Sequence, residues 1–579
     1  MADLITSKVA ALKPFRSHRA RDEDDEGEQI DQTSTGHRVQ EYAIPTNQLR
    51  VSRALKSFLA HHDVLSEGDA GIDEDGLPAA LLNLLGKPYV QVPASVLDRS
   101  YPLPEYFISS SHNTYLLAHQ LYGTSSASAY ETALKTGSRC VEIDAWDDDD
   151  NKEEPKVTHG FTLVSHIPFR AVCETIRDVF DHEVAAAERQ AGHAPSPILI
   201  SLENHCDAAG QRRLASIMKE VWGHRLLSAP VRRAGHDEQQ GSGDHVSLSD
   251  LGAHIAVIVE FHLPDEVDTS DSDSSDDTDE ENEKAARKEY KDKRKTVPST
   301  LIVPELAELG VYAQSVKPSD NSWFEPGELT NGPHHHLINV SETGLSSHLP
   351  GQSILIAKHN SKHLMRVFPK GTRINSSNLK PVPFWGLGAQ ICAINWQTFG
   401  TSNQLNDALF QASDGYVLKP AALRAGGDGK LDTGKKKRLR LHIAGATDIP
   451  LHEDSEADGI RPYVTCTLYH PSDLQNEPPK RKTSAYKQHK LGFLHRGENP
   501  PPTDPIWDEK LEWEFQDNEL VFLRILIKSD ESWAKNPSFA AVAVRLSYVV
   551  PGWSFLRMLD MKGRETKCTV LVKFEIEDA

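Results

Sequence analysis

Residues 106–116 read YFISSSHNTYL. An apolar, aromatic lead-in of Tyr106, Phe107 and Ile108 gives way to an unbroken polar run through Ser109, Ser110, Ser111, His112 and Asn113. A buried strand does this when its end opens into a pocket rather than a tight turn.

Outward from that stretch, between about 99 and 262, strand-like runs (YFISSS, CVEIDAW, KVTHG, PILISLEN, HIAVIVEF) alternate with helix-like ones (ASAYETALKTG, PFRAVCETIRDVFDHEVAAAERQ, AGQRRLASIMKEVWG). Such alternation predicts βα units around a parallel sheet. The acidic run that follows, PDEVDTSDSDSSDDTDEENEKAARKEYKDKRK, holds too little apolar surface to fold. Strand-like runs resume after it in SILIAKH, HLMRVFP, AQICAINWQ and GYVLKP. Two half-sets of strands flanking such an insert predict one α/β barrel split by a surface loop, because long insertions cost little loop entropy. The last stretch (RLRLHIAGAT, YVTCTLYH, KLEWEFQ, LVFLRILIK, TVLVKFEIED) reads as a separate all-β antiparallel sandwich.

The predicted organisation is a polar tail at 1–47, a helical region at 48–98, barrel halves at 99–263 and 299–424 with the acidic linker 264–298 between them, and the sandwich at 436–579. Within 48–98, the segment VLSEGDAGIDEDGLPAALLNLL is a degenerate calcium-binding helix-loop-helix. With Gly76 at the sixth loop position, Gly71 and Leu82 fall where the ligands Asp and Glu are needed.

Formal charge is -21, which argues against a nucleic-acid binder. Seven acids lie between Asp22 and Asp31 and eleven between Asp265 and Glu283, so the remainder is near neutral and can carry basic patches that meet an acidic membrane. The six cysteines (Cys140, Cys173, Cys206, Cys392, Cys466, Cys568) form no CxxC pair; they read as reduced thiols of an intracellular protein. The start MADLITSKVAALKPFRSHRARDEDDEGE lacks a signal-peptide core, and no segment approaches about 18 uninterrupted apolar residues, so membrane contact is expected to be peripheral.

In a βα barrel the active site lies at the C-terminal strand ends. His112 and Asn113 follow the first strand, Glu142 and Asp144 lie on the second, His159 ends the third and Glu203 the fourth. Glu142 and Asp144, two apart, share one strand face. Three carboxylates and an amide oxygen make a hard ligand set suited to calcium or magnesium, with calcium favoured because magnesium takes fewer carboxylates and keeps more water. Two histidines beside such a metal suit acid/base work on a phosphate ester. Each residue alone also has a plainer reading, His as a hydrogen-bonded strand end and the acid pair as part of a surface ladder.

The joint pattern SSSHNTYL, VEIDAWD, THGFTLVSHIPF and ISLENHC, followed by ELAELGVYAQSVK, NVSETG, HLMRVFPKGTRINSSNLKPVPFWGLGAQICAINWQT and GYVLKP, closely resembles the X and Y regions of eukaryotic phosphoinositide-specific phospholipase C over residues 99 to 424. The sandwich resembles the C2 domain of that family. The resemblance implies a split, distorted TIM barrel that cleaves phosphatidylinositol lipids to diacylglycerol and inositol phosphates through a cyclic phosphate. It implies calcium held by Asn113, Glu142, Asp144 and Glu203, His112 as stabiliser of the phosphoryl oxygens, and His159 as acid for the leaving oxygen. Ser341, Arg366 and Phe368 match substrate-binding positions, Phe368 standing where the family has tyrosine. Partners implied are phosphoinositide lipid and the inner face of a cellular membrane, reached from the cytoplasm; no regulatory protein is indicated. The chain is expected to be a short form without the family's N-terminal membrane-targeting domain.

Several positions depart from the family. Its two phosphate-binding lysines on the fifth strand are replaced by Ile258 and Glu260, which predicts weaker selectivity for the 4,5-bisphosphate headgroup. The apolar rim keeps Leu121 and Leu163 but has Thr372 at its third place. Asp458, Asp504, Asp508 and Asp530 are expected in sandwich loops as structural turn residues, and GKKKRLR (434–440) is either a membrane-recruiting patch or a linker. The linker at 265–283 suggests an electrostatic shield of the mouth. The rival readings are a glycerophosphodiester phosphodiesterase and a catalytically silent phosphoinositide-binding scaffold.

Overall fold

Alternation of side chains along short strands organises the barrel. The computed structural model describes residues 27–30, 44–74, 76–117, 125–148, 150–158, 165–189, 195–232, 245–263, 301–325, 329, 331–370, 377–452, 456–474, 476–489, 498–530 and 537–579. The barrel strands are β1 (Tyr106–Ile108), β2 (Ser111–His112), β3 (Cys140–Trp146), β4 (Lys156–Val157), β5 (Ile167–Pro168), β6 (Ile198–Asn204), β7 (Ile255–Glu260), β8 (Gln314–Val316), β9 (His336–Ser341), β10 (Leu364–Phe368), β11 (Ile391–Cys392), β12 (Ile394–Asn395) and β13 (Tyr416–Leu418); all lie in one sheet except β2 and β12, which pair as a separate small one. Parallel pairing runs β3, β6, β7, β8, β9, β10, β11, β1, and a parallel bridge between Ser110 and Cys140 closes the ring.

On β3, β6 and β7 one face (Val141, Ile143, Ile198, Ile200, Val257, Val259) packs under the helices Ser128–Lys135, Phe169–Arg189 and Ala208–Trp222. The other face points into the barrel, where Cys140, Leu199, Ala256, Ile258, Leu337, Leu364 and Ile391 fill the interior. The inward faces of β3, β6, β7 and β9 therefore start apolar and end polar, and these polar ends converge at one mouth.

Two strand expectations are corrected. SILIAKH lies in a helix, Ser353–Asn360; its consecutive apolar residues carry no alternation, and a short apolar run does not distinguish strand from helix. Among the described residues of KVTHG, Lys156 and Val157 are strand, lying antiparallel between β3 and β5 and outside the ring. His159, Leu121, Leu163, Thr372 and the acidic linker lie outside the described residues.

Before the barrel, helices Arg53–His61 and Ala79–Leu85 flank the degenerate loop. Lys56 Nζ donates to the carbonyls of Gly71 (3.0 Å), Glu74 (2.8 Å) and Gly76 (3.1 Å). An ammonium on the helix thus satisfies loop carbonyls that a metal loop would turn toward its ion. Leu55, Phe58, Leu59, Leu81 and Leu85 pack this helix pair on the sandwich residues Ala444, Phe555 and Leu571.

The sandwich is an eight-stranded antiparallel sheet curled on itself, built from β14 (Lys436–Thr447), β15 (Pro462–Tyr469), β16 (Lys480–Lys482), β17 (Ile506–Gln516), β18 (Phe522–Ser529), β19 (Ser538–Arg545), β20 (Gly552–Asp560) and β21 (Glu565–Asp578). GKKKRLR is not a linker: most of it is the start of β14, with Lys437 paired to Asp578 (2.6 Å), Arg438 to Glu514 (2.5 Å) and Arg440 to Glu577 (2.8 Å). Asp508 lies within β17 and not in a loop, and bonds His442 Nε2 at 2.7 Å. Asp504 accepts from Arg50 Nη2 (2.7 Å) and from the Asp448 backbone N–H (2.9 Å), a structural role. The six cysteines are buried free thiols. Barrel and sandwich share a core in which Trp385 and Leu405 meet Phe522 and Ala543. Between them runs the helix Thr401–Leu409, buried at every position, and Arg524 Nε of β18 donates to its Gln404 Oε1 at 2.6 Å.

Candidate active site

Parallel pairing of β3 with β6 sets Asp144 beside Glu203 at the mouth, with Glu142 one inward position deeper. One oxygen from each of these three carboxylates lies within 4.8 Å of the other two. From the far side of the barrel Arg366 donates through Nη2 to Glu142 Oε1 (2.5 Å) and through Nη1 to Asn339 Oδ1 (3.1 Å), with Glu203 3.7 Å away. Both Arg366 and Glu142 are about 1% exposed, so this ion pair is satisfied by the fold itself rather than by water.

Asn113 leaves β2 with φ of 44°, in the left-handed region where Asn is tolerated, and its backbone N–H donates to Glu142 Oε2 at 2.6 Å. The Tyr115 hydroxyl stands within donating distance of Asp144 Oδ2 (2.6 Å) and Asn113 Oδ1 (3.1 Å). Asp144 Oδ1 is buried and has no hydrogen-bond partner among the described residues. Burial pushes Glu142 and Asp144 well above the usual carboxylate range, and repulsion from Glu203 adds to it, with Arg366 pulling the other way. Burial would raise Glu203 too, but Arg366 and Lys317 outweigh it and hold Glu203 low. A cluster of this kind can carry its full charge only beside a cation, and the unsatisfied Asp144 oxygen in an all-oxygen set fits a hard divalent one.

β12 lies parallel to β2 and sets Asn395 in register with His112. His112 Nδ1 is 2.8 Å from Asn395 Oδ1, and Asn395 Nδ2 donates to the Ser377 carbonyl at 2.9 Å. The amide oxygen is therefore the acceptor, Nδ1 carries the hydrogen, and proton exchange falls to Nε2. Asn395 is itself held by Asn378 and by Asn403 Nδ2, which donates to its carbonyl at 3.0 Å. At the rim, Ser341 and Phe368 are direct cross-strand neighbours. Ser341 also caps the next helix by accepting from the Gly344 N–H at 3.1 Å, and the Arg366 guanidinium lies 5.6 Å from the Phe368 ring centre.

Ile258 is buried in the interior, in register with Ser201 and through it with Glu142. Glu260, two residues on, comes under the charges of Lys317 and Glu203; burial raises its pKa and Lys317 opposes the rise.

The description "Phosphatidylinositol-specific phospholipase C, X domain" matches residues 99–260, and its Y-domain counterpart matches 306–422. The chain belongs to the phosphatidylinositol-specific phospholipase C family. The 1-phosphatidylinositol 4,5-bisphosphate phosphodiesterase 1 of Candida albicans is 28% identical, over 88% of this chain and 51% of its own length. The corresponding phosphodiesterase of Dictyostelium discoideum is 30% identical, over 80% of this chain and 57% of its own. The chain spans little more than half the length of these curated relatives. The crystal structure of S. officinalis PLC21 is 25% identical, covers 94% of this chain and 65% of its own, and superposes with a TM-score of 0.67. Of this site, the sequence patterns pointed to His112, Asn113, Glu142, Asp144 and Glu203 and the family resemblance to Ser341, Arg366 and Phe368, and the fold brings them to one end of the barrel. Tyr115, Asn339 and Asn395 escaped sequence reasoning although all three lie within the quoted motifs, because only cross-strand register reveals what they hold. Lys317 closes the quoted ELAELGVYAQSVK run, but nothing in that run marks it as a charge facing Glu203. Among the described residues no helix is long and apolar enough to cross a membrane.

Proposed function

We propose that the protein is a calcium-dependent phosphoinositide phospholipase C that works from the cytoplasm on the inner face of a membrane, with its catalytic barrel at 99–263 and 299–424 and a C2-like domain at 436–579. The observation that carries this reading is the buried oxygen cluster of Glu142, Asp144 and Glu203, with Asp144 Oδ1 left unsatisfied, at the mouth of a barrel matched by both catalytic regions. Asn113 and these three carboxylates would hold the ion, which when bound lowers the pKa of the attacking hydroxyl and offsets phosphoryl charge.

The inositol 2-hydroxyl attacks the adjacent phosphorus, an intramolecular step with a large proximity advantage. Its proton passes to a carboxylate of the cluster, and the P–O bond to diacylglycerol breaks as that oxygen takes a proton from His159. Water then opens the cyclic phosphate. Because the Nδ1–H of His112 is engaged by Asn395, a second N–H aimed at a phosphoryl oxygen requires the imidazolium form. Ser341, Arg366 and Phe368 border the headgroup, and Glu260 at the rim disfavours a 5-phosphate or 4-phosphate dianion, so phosphatidylinositol or its monophosphate is relatively preferred.

The test is inositol phosphate release from mixed vesicles carrying phosphatidylinositol, its 4-phosphate or its 4,5-bisphosphate across a free-calcium titration. Calcium-dependent release is expected, with the bisphosphate not dominant. Intact vesicle binding without release from any lipid would replace this reading with a silent membrane module.

A further inference from the structure

A second polar cluster lies at the other end of the barrel. His334, His335 and His336 lead into β9, His363 directly precedes β10, and His245 lies upstream of β7 near the same face. All belong to the N-terminal strand ends, away from the carboxylates. His245 and His334 stack with ring centres 5.0 Å apart and planes 5° from parallel, while His335 lies 4.7 Å from His334 and 5.1 Å from His245. One ring nitrogen from each of His245, His334 and His335 falls within 4.8 Å of the other two.

Not all these rings are explained by packing. His336 and His359 bond each other Nε2 to Nε2 at 2.9 Å, and their outer nitrogens meet the Pro333 carbonyl and Asn360 Oδ1. His335, only 3% exposed, touches His245 through Nδ1 at 3.1 Å but leaves Nε2 without a hydrogen-bond partner among the described residues. His363 Nδ1 likewise has no hydrogen-bond partner among the described residues, and its ring centre lies 5.5 Å from that of His245. Such buried, unsatisfied nitrogens are uncommon without a ligand. A small cavity lined by Leu103, Val246, Tyr312 and Leu364 opens beside His245 and His335, with room for roughly one water-sized sphere. Burial holds His245 at about 4 and His335 at about 3, with repulsion from neighbouring rings and Arg232 acting in the same direction. Burial thus disfavours the charged form of these two rings, and neutral imidazole is the form that ligates metals.

We propose that His245, His334 and His335 bind a borderline transition-metal dication, zinc foremost, with His363 or water completing the coordination. Three imidazoles select zinc, copper, nickel or cobalt over calcium and magnesium, which require oxygen donors. The ion would tie the loop before β7 to the starts of β9 and β10, joining the two sequence halves of the barrel at its closed end. The site is independent of the hydrolase reading and stands or falls by itself.

The test strips the full-length chain with chelator, restores calcium in excess for the oxygen cluster, and titrates Zn²⁺ and then Co²⁺. Expected are about one tightly held zinc per chain, a visible Co²⁺ ligand-field spectrum of a low-symmetry nitrogen site, and a melting temperature that rises with zinc concentration. His335→Gln and His245→Gln should each weaken zinc binding at least about tenfold, while the exposed His224→Gln leaves it unchanged. Absence of retained zinc in the wild type, or equal retention in His335→Gln, overturns the proposal. Should the variants fail to fold, X-ray absorption of the zinc-loaded wild type decides: nitrogen at about 2.0–2.1 Å with imidazole outer shells supports the site, and an oxygen-only shell refutes it.

Discussion

The two ends of this barrel bury polarity in opposite ways. At the C-terminal ends, Glu142, Asp144 and Glu203 gather negative charge against one buried cation, Arg366. At the N-terminal ends, imidazoles gather with their charge suppressed by burial. The comparison teaches that what a buried cluster can hold follows from its donors: oxygen and charge at one end, nitrogen and neutrality at the other. A third solution stands outside the barrel, where the Lys56 ammonium occupies a degenerate metal loop and no ion is needed.

The largest effect should come from removing the cation that makes the carboxylate end tolerable. Arg366→Met leaves Glu142 buried and unpaired, and urea unfolding should show a loss of about 3–5 kcal/mol. An unchanged midpoint would mean the cluster is wetter than its burial implies. Asp144→Asn acts differently: vesicle hydrolysis should fall on the order of 10²–10³-fold while thermal stability holds or rises, because a neutral amide relieves the crowded charge. Loss of both activity and stability would break the distinction between a fold-bearing Arg366 and a function-bearing Asp144.

Asn395→Asp sharpens the contrast between charged and neutral imidazole. A carboxylate facing Nδ1–H favours the imidazolium, so the His112 pKa rises and the alkaline limb of the pH–rate profile should move to higher pH. A limb that stays in place would show that His112 does not set it. Smallest, Glu260→Lys should shift lipid preference toward the 4,5-bisphosphate by a few-fold, on the order of 1 kcal/mol, measured by competition between vesicle lipids. Ile258→Lys is the poorer test, since its buried site would charge the core with an unpaired ammonium.

The parallel order of the barrel was legible because Val141, Ile143, Ile200 and Val257 alternate with inward residues and helical runs separate the strands. The carboxylate cluster was legible for the same reason, as period two places Glu142 and Asp144 on one face. What failed had no periodic signal. Ser353–Asn360 is too short and evenly apolar to declare itself a helix, and the basic run of β14 finds its acids on β17 and β21, far along the chain. The run His334–His336 was visible, but the cluster was not, because His245 and His363 join it only through the ring of strands.

One consequence follows from the helix Thr401–Leu409. Arg524 of the sandwich grips Gln404; the adjacent Asn403 grips Asn395; Asn395 holds His112. The sandwich is thus fastened to the proton-bearing ring by a short chain of rigid polar links. A tilt of that domain against the barrel would act as a rudder, steering the imidazole at the mouth without touching the substrate.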